Sequence, residues 1–152
     1  METNEKPESG SKIRWDVFND QCPTRMVLNR IADKWTVMII LQLARKTCRF
    51  GELKREIAGI SQKMLAQTLR ALERDGMLRR EVFAQVPPRV EYSLTPLGRT
   101  LTGVLSEIKR WAESNIETVL AAHKAFDEAA TAPKEELDEP GAKVIRLSNR
   151  SR

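Results

Sequence analysis

Ser61-Gln62-Lys63-Met64-Leu65-Ala66-Gln67-Thr68-Leu69-Arg70-Ala71-Leu72-Glu73-Arg74-Asp75-Gly76 is the stretch that decides how this chain is read. Wound at 100° per residue, it puts Leu65, Leu69 and Leu72 on one side and Lys63, Gln67, Arg70 and Arg74 on the other. Leucines pin such a helix to a core and leave long hydrogen-bonding and cationic side chains aimed at a partner. Ser61 is a good N-cap, and Gly76 is placed to end the helix as a C′ glycine. Beyond Gly76 the period changes to two. Val90, Tyr92 and Leu94 alternate with Arg89, Glu91 and Ser93, as in a half-buried strand, and residues 78–83 supply its partner. Pro87 and Pro88 cannot donate to a sheet ladder and belong at the hairpin tip.

Working outward, Phe50, Leu53 and Ile57 recur at i, i+3 and i+7 on a helix over 50–58, and Gly59-Ile60 makes a short turn. Helix, three-residue turn, helix, then a basic hairpin is the order of a winged helix-turn-helix, which reads DNA. The expected fold class is mainly α (α+β), a winged helix-turn-helix domain with added N- and C-terminal dimerisation helices. Cys22-Pro23-Thr24 opens a helix with Pro23 in its first turn, and the helix at 34–45 is apolar nearly all round, as a central buried helix would be. Thr95-Pro96 reads as an N-cap with proline at N1. From Leu97 through Ile108 and Trp111 to Phe126, apolar residues then follow at helical spacing. That stripe is longer than one chain can cover, so a two-fold homodimer is expected, with residues 13–33 as its natural counterpart.

The 152 residues suit one domain: a tail without fixed structure over 1–12, the winged domain with its dimerisation helices over 13–130, and a second tail over 131–152. Between Arg45 and Arg89 stand 11 Lys/Arg against 5 Asp/Glu, whereas the chain as a whole carries only +5. Positive charge is therefore concentrated where the helix and hairpin lie, as a footprint for phosphates requires. Two cysteines, Cys22 and Cys48, make neither a disulfide framework nor a zinc site, and His123 is the only histidine, so no metal or other cofactor is expected. The polar N-terminus and the short apolar run at 35–41 argue against a leader or a membrane span, which points to a reducing cytoplasm.

Each candidate DNA contact has its own chemistry. Ser61, Gln62 and Lys63 sit where backbone N–H groups and the helix dipole favour a phosphate. Gln67 pairs bidentately with adenine and Arg70 with guanine, while Arg74, a turn further on, suits a phosphate. Arg89 follows two prolines that stiffen the tip, and so is presented to a narrow minor groove or its phosphates. Arg79 and Arg80 at the hairpin base face the backbone unless one pairs with Glu81 or Glu91. Arg49, beside the supporting helix, is a further phosphate candidate.

Cys22-Pro23, Lys34-Trp35-Thr36, Arg49-Phe50-Gly51-Glu52-Leu53, Gly59-Ile60-Ser61-Gln62-Lys63-Met64-Leu65 and, above all, the run from Pro87-Pro88-Arg89-Val90-Glu91-Tyr92 to Leu97-Gly98 resemble the HxlR family of bacterial regulators. The resemblance covers residues 22–112. It implies a dimeric winged-helix transcription factor of the wider MarR-like group, and the function expected here is a homodimeric repressor bound to a pseudo-palindromic operator in double-stranded DNA. Some members sense oxidants or electrophiles through a cysteine near the N-terminus, where Cys22 lies. A cysteine at a helix N-terminus with Arg25 a turn on favours its thiolate, and packing at the dimer interface is the other role open to it. Cys48 reads as buried filler. Related winged-helix dimers also take small effectors near their dimer helices, so an unidentified effector remains an alternative to thiol sensing. A protein-interaction module is the reading from another class. A thiol enzyme is not expected, for want of a Cys-x-x-Cys or a nearby histidine.

Overall fold

The computed structural model describes residues 15–131; residues 1–14, with the whole of the tail expected over 1–12, lie outside the described residues, as does the tail expected over 131–152 except Thr131, the last residue of the final helix. In chain order the elements are α1 (Thr24–Ile31), α2 (Lys34–Arg45), β1 (Cys48–Arg49), α3 (Phe50–Glu56), α4 (Gln62–Arg74), β2 (Leu78–Phe83), β3 (Arg89–Leu94), α5 (Pro96–Thr100) and α6 (Thr102–Thr131). They resolve into two compact units, with the boundary after Trp111 inside α6.

The first unit is built around α2. Ile39, Ile40 and Leu43 of α2 pack with Leu53 of α3, Leu65, Leu69 and Leu72 of α4, and Leu78, Tyr92 and Leu94 of the sheet, with Leu105 closing the core. Asp33 caps α2 by accepting from the Thr36 N–H at 2.9 Å. Thr36 itself is fully buried, and its hydroxyl makes no hydrogen bond among the described residues. The turn between α3 and α4 spans residues 57–61 and bends at Gly59, whose φ of 84° is costly for any residue with a Cβ. Ser61 caps α4, accepting from Met64 N–H at 3.0 Å. At the other end Gly76 has φ 72° and Met77 N–H reaches back to the Leu72 carbonyl at 2.9 Å, a Schellman closure.

The sheet is antiparallel, ordered β1-β3-β2, with Cys48 opposite Tyr92 and Leu78 opposite Leu94. Two features depart from the sequence expectations. Strand β1 is only two residues long and leaves no periodic trace in sequence. The helix expected to run unbroken from Pro96 is divided at Leu101, whose N–H bonds to the Gly98 carbonyl at 3.2 Å in a tightened turn. Three residues before the break, Gly98 lies directly against the Met77 backbone. Thr95 anchors the same junction. Its hydroxyl donates to the Gly76 carbonyl at 2.6 Å and accepts from Gly98 N–H at 3.1 Å.

Of the second unit, residues 112–131 are described, and they are helical throughout. Ile116, Leu120 and Phe126 are exposed there. Among the described residues no helix is long and apolar enough to cross a membrane.

Candidate nucleic-acid interface

The leucine stripe of α4 is buried to the last residue, so the opposite face is fixed in direction. Leu65, Leu69 and Leu72 are 0–2% exposed, whereas Lys63, Gln67, Arg70 and Arg74 all face solvent. None of these four makes an ion pair among the described residues. Ser61's hydroxyl oxygen is taken up in capping Met64, which leaves the backbone N–H groups of Gln62 and Lys63 as the open donors at this helix start. The far end of α4 is held by Arg30 of α1, whose Nε lies 2.8 Å from Asp75 Oδ2. The sequence gives no sign that these two residues pair.

On the wing, alternation sorts the arginines by face. Leu78, Arg80 and Val82 of β2 lie opposite Leu94, Tyr92 and Val90 on the inner face, and Arg79, Glu81 and Phe83 lie opposite Ser93, Glu91 and Arg89 on the outer one. Glu81 and Glu91 are directly opposed, an unfavourable pairing by itself. Arg79 answers Glu81 at 3.6 Å and Arg89 answers Glu91 at 3.1 Å. Arg89 also lies over the Phe83 ring, 4.3 Å from its centroid. The expectation of an arginine projected from the tip therefore gives way to a half-buried one folded onto the sheet. The tip itself presents Val86, fully exposed, beside Pro87 and Pro88.

Arg49 precedes α3 and faces solvent; its backbone N–H donates to Glu52 Oε2 at 2.7 Å, which holds the Glu52 carboxyl below its ordinary range. Between α4 and the wing opens a groove of about 500 Å³ walled by Gln67, Arg70, Glu73, Arg80 and Tyr92. Arg80 was not separable from Arg79 by composition. The buried Leu78 two residues earlier is the signal that puts it on the inner face.

Residues 30–119 match the model of the HxlR-like helix-turn-helix family. The chain belongs to the HxlR-like family. Its relatives include the uncharacterised HTH-type transcriptional regulator YtfH of Escherichia coli, 47% identical over 106 residues that cover 70% of this chain and 84% of the relative. YdeP of Bacillus subtilis, another uncharacterised HTH-type transcriptional regulator, is 44% identical and is covered to 85%. Among solved structures, YtfH from Salmonella typhimurium superposes with a TM-score of 0.68 at 44% identity, covering 73% of this chain and 99% of that one. The redox regulator HypR in its reduced form gives a TM-score of 0.60 at 41% identity, over 65% of this chain and 98% of that one. This HxlR-like chain is thus a transcriptional regulator with a DNA-binding winged helix-turn-helix fold, in a family of regulators rather than enzymes.

The cysteines of the HxlR-like chain sit in opposite environments. Cys48 is buried in β1, and burial pushes its thiol up. Cys22, half-buried before α1, accepts a hydrogen bond from the Thr24 hydroxyl at 3.1 Å, and that bond draws its pKa down. Arg25, the neighbour expected to favour the thiolate, is engaged elsewhere: its guanidinium donates to the carbonyls of Val17 and Phe18 at 2.9 and 3.3 Å. Both cysteines are free. Among the described residues no cluster of His, Cys, Asp or Glu is arranged to hold a metal.

Proposed function

We propose that this chain is a homodimeric repressor that binds a pseudo-palindromic operator, α4 lying in the major groove and the wing flanking it. The observation that carries this is the solvent-facing row Lys63, Gln67, Arg70 and Arg74 on a helix whose opposite face is locked into the core. In this reading Gln67 and Arg70 address base edges, while Ser61, Gln62, Lys63, Arg74 and Arg49 position the protein on phosphates. Exposed apolar side chains at Met26, Val27 and Leu28 of α1 in the first unit, and separately at Ile116, Leu120 and Phe126 of α6 in the second, are each available to a second copy. Two related half-sites would then be bound at once.

The signal in this proposal is oxidation of Cys22. The Thr24 hydrogen bond favours its thiolate, and the redox regulator HypR shares this fold. Titrating the promoter region beside its own gene, with and without a thiol oxidant, tests both parts for wild type and Cys22→Ser. Saturable, salt-dependent binding by two chains per site is expected, released by oxidant in wild type only. Binding no stronger than to unrelated DNA would remove the operator reading. An oxidant response that survives in Cys22→Ser would remove the sensor and leave a small effector as the alternative.

A further inference from the structure

Of the three arginines on the wing, two are matched within the sheet and one is not. Arg79 and Arg89 lie on the outer face beside Glu81 and Glu91. The side chain of Arg80, exposed on the inner face opposite Tyr92, has neither an ion pair nor a hydrogen bond among the described residues. It instead helps wall the groove against α4, where the other charged side chains are Arg70 and Glu73. Two guanidinium groups thus share one open groove with a single carboxylate. Like charges held in one recess repel, and an anion seated between them turns that repulsion into charge-assisted hydrogen bonding.

We propose that this groove seats one backbone phosphate of duplex DNA on Arg80, so that the wing's cationic contact comes from its root and not from its tip. The inference rests on the DNA-binding reading above and adds a residue to it. Arg70, on the opposite wall, needs only part of its five-donor fork to read a base edge, and its charge reinforces the same phosphate. Glu73 weakens the seat. The tip residues Val86, Pro87 and Pro88 bring no charge to it.

A phosphate contact is indifferent to sequence, so a mixed-sequence duplex titrated over a series of salt concentrations is the appropriate probe. Arg80→Gln should flatten the dependence of log K on log salt by about one for each chain bound. Arg80→Lys should keep most of that slope, and Glu73→Gln should bind more tightly than wild type. Lys124→Gln, which removes one charge from α6, controls for net charge and should leave the slope unchanged. Thermal unfolding of each variant confirms that it is folded. Arg80→Gln at the wild-type slope, or Glu73→Gln binding no more tightly, overturns the proposal while wild type still binds. No salt-dependent binding by wild type overturns the DNA-binding reading itself, and this inference with it.

Discussion

Arg30 and Asp75 stand 45 residues apart in sequence and meet at 2.8 Å, fastening the end of α1 to the end of α4. Both side chains are partly buried, which places the pair above a typical surface ion pair. Arg30→Met and Asp75→Asn should each cost about 1 kcal/mol in thermal or urea unfolding. The double variant should cost less than the two singles combined; strict additivity would show that the pair contributes nothing.

Gly98 tolerates no side chain. A Cβ there would collide with the Met77 carbonyl oxygen and stand 3.3 Å from Leu94 Cδ2. Backbone cannot yield as a side chain tip does, so Gly98→Ala should destabilise by roughly 3 kcal/mol or more. Soluble expression with an unchanged melting temperature would contradict the packing at this junction.

Thr36 offers the opposite case. Among the described residues its hydroxyl is buried without a hydrogen bond, so it bears a desolvation cost with no return there. Thr36→Val keeps the shape and removes the polar atom, and should stabilise by about 1 kcal/mol in chemical denaturation. A loss of stability would show that the hydroxyl is satisfied in solution.

Thr24 sets the acidity of Cys22. Because its hydroxyl favours the thiolate, Thr24→Val should raise the thiol pKa and shift the pH profile of Cys22 alkylation to higher pH. At neutral pH the variant should react more slowly. Cys48, buried and shifted the other way, should be labelled only on unfolding. Mass-mapped iodoacetamide labelling distinguishes the two sites.

Arg70→Ala should cost roughly 1–3 kcal/mol on the operator and relax base preference at one position of each half-site. Arg74→Ala should weaken all sequences alike. Equal losses on operator and random DNA for Arg70→Ala would reassign Arg70 to the backbone.

What was legible in sequence, and what was not, divides along physical lines. Leu65, Leu69 and Leu72 announce their face because helical periodicity is local, and Ser61 and Gly76 mark the helix ends by local chemistry, a side-chain cap at one and a left-handed backbone at the other. Alternation likewise gave the wing strands. Alternation from Leu78 puts Arg80 rather than Arg79 on the inner face, but that Arg80 stands opposite Tyr92 there depends on register with β3. Spacing put Arg25 a turn from Cys22 but not its direction, which the Val17 and Phe18 carbonyls decide. The close approach of Gly98 to Met77, residues 21 apart in sequence, is a tertiary contact that no local pattern announces.

The outer face of the wing has a consequence in time rather than in affinity. With Arg79 set against Glu81 and Arg89 against Glu91, that face cancels its own charge and contributes little to the long-range field. The encounter with DNA is then governed by the uncancelled cations of α4 and the groove, and the outer face of the hairpin engages only after contact. Neutralising both outer pairs together should leave the association rate nearly untouched, whereas removing Lys63 or Arg74 should slow it.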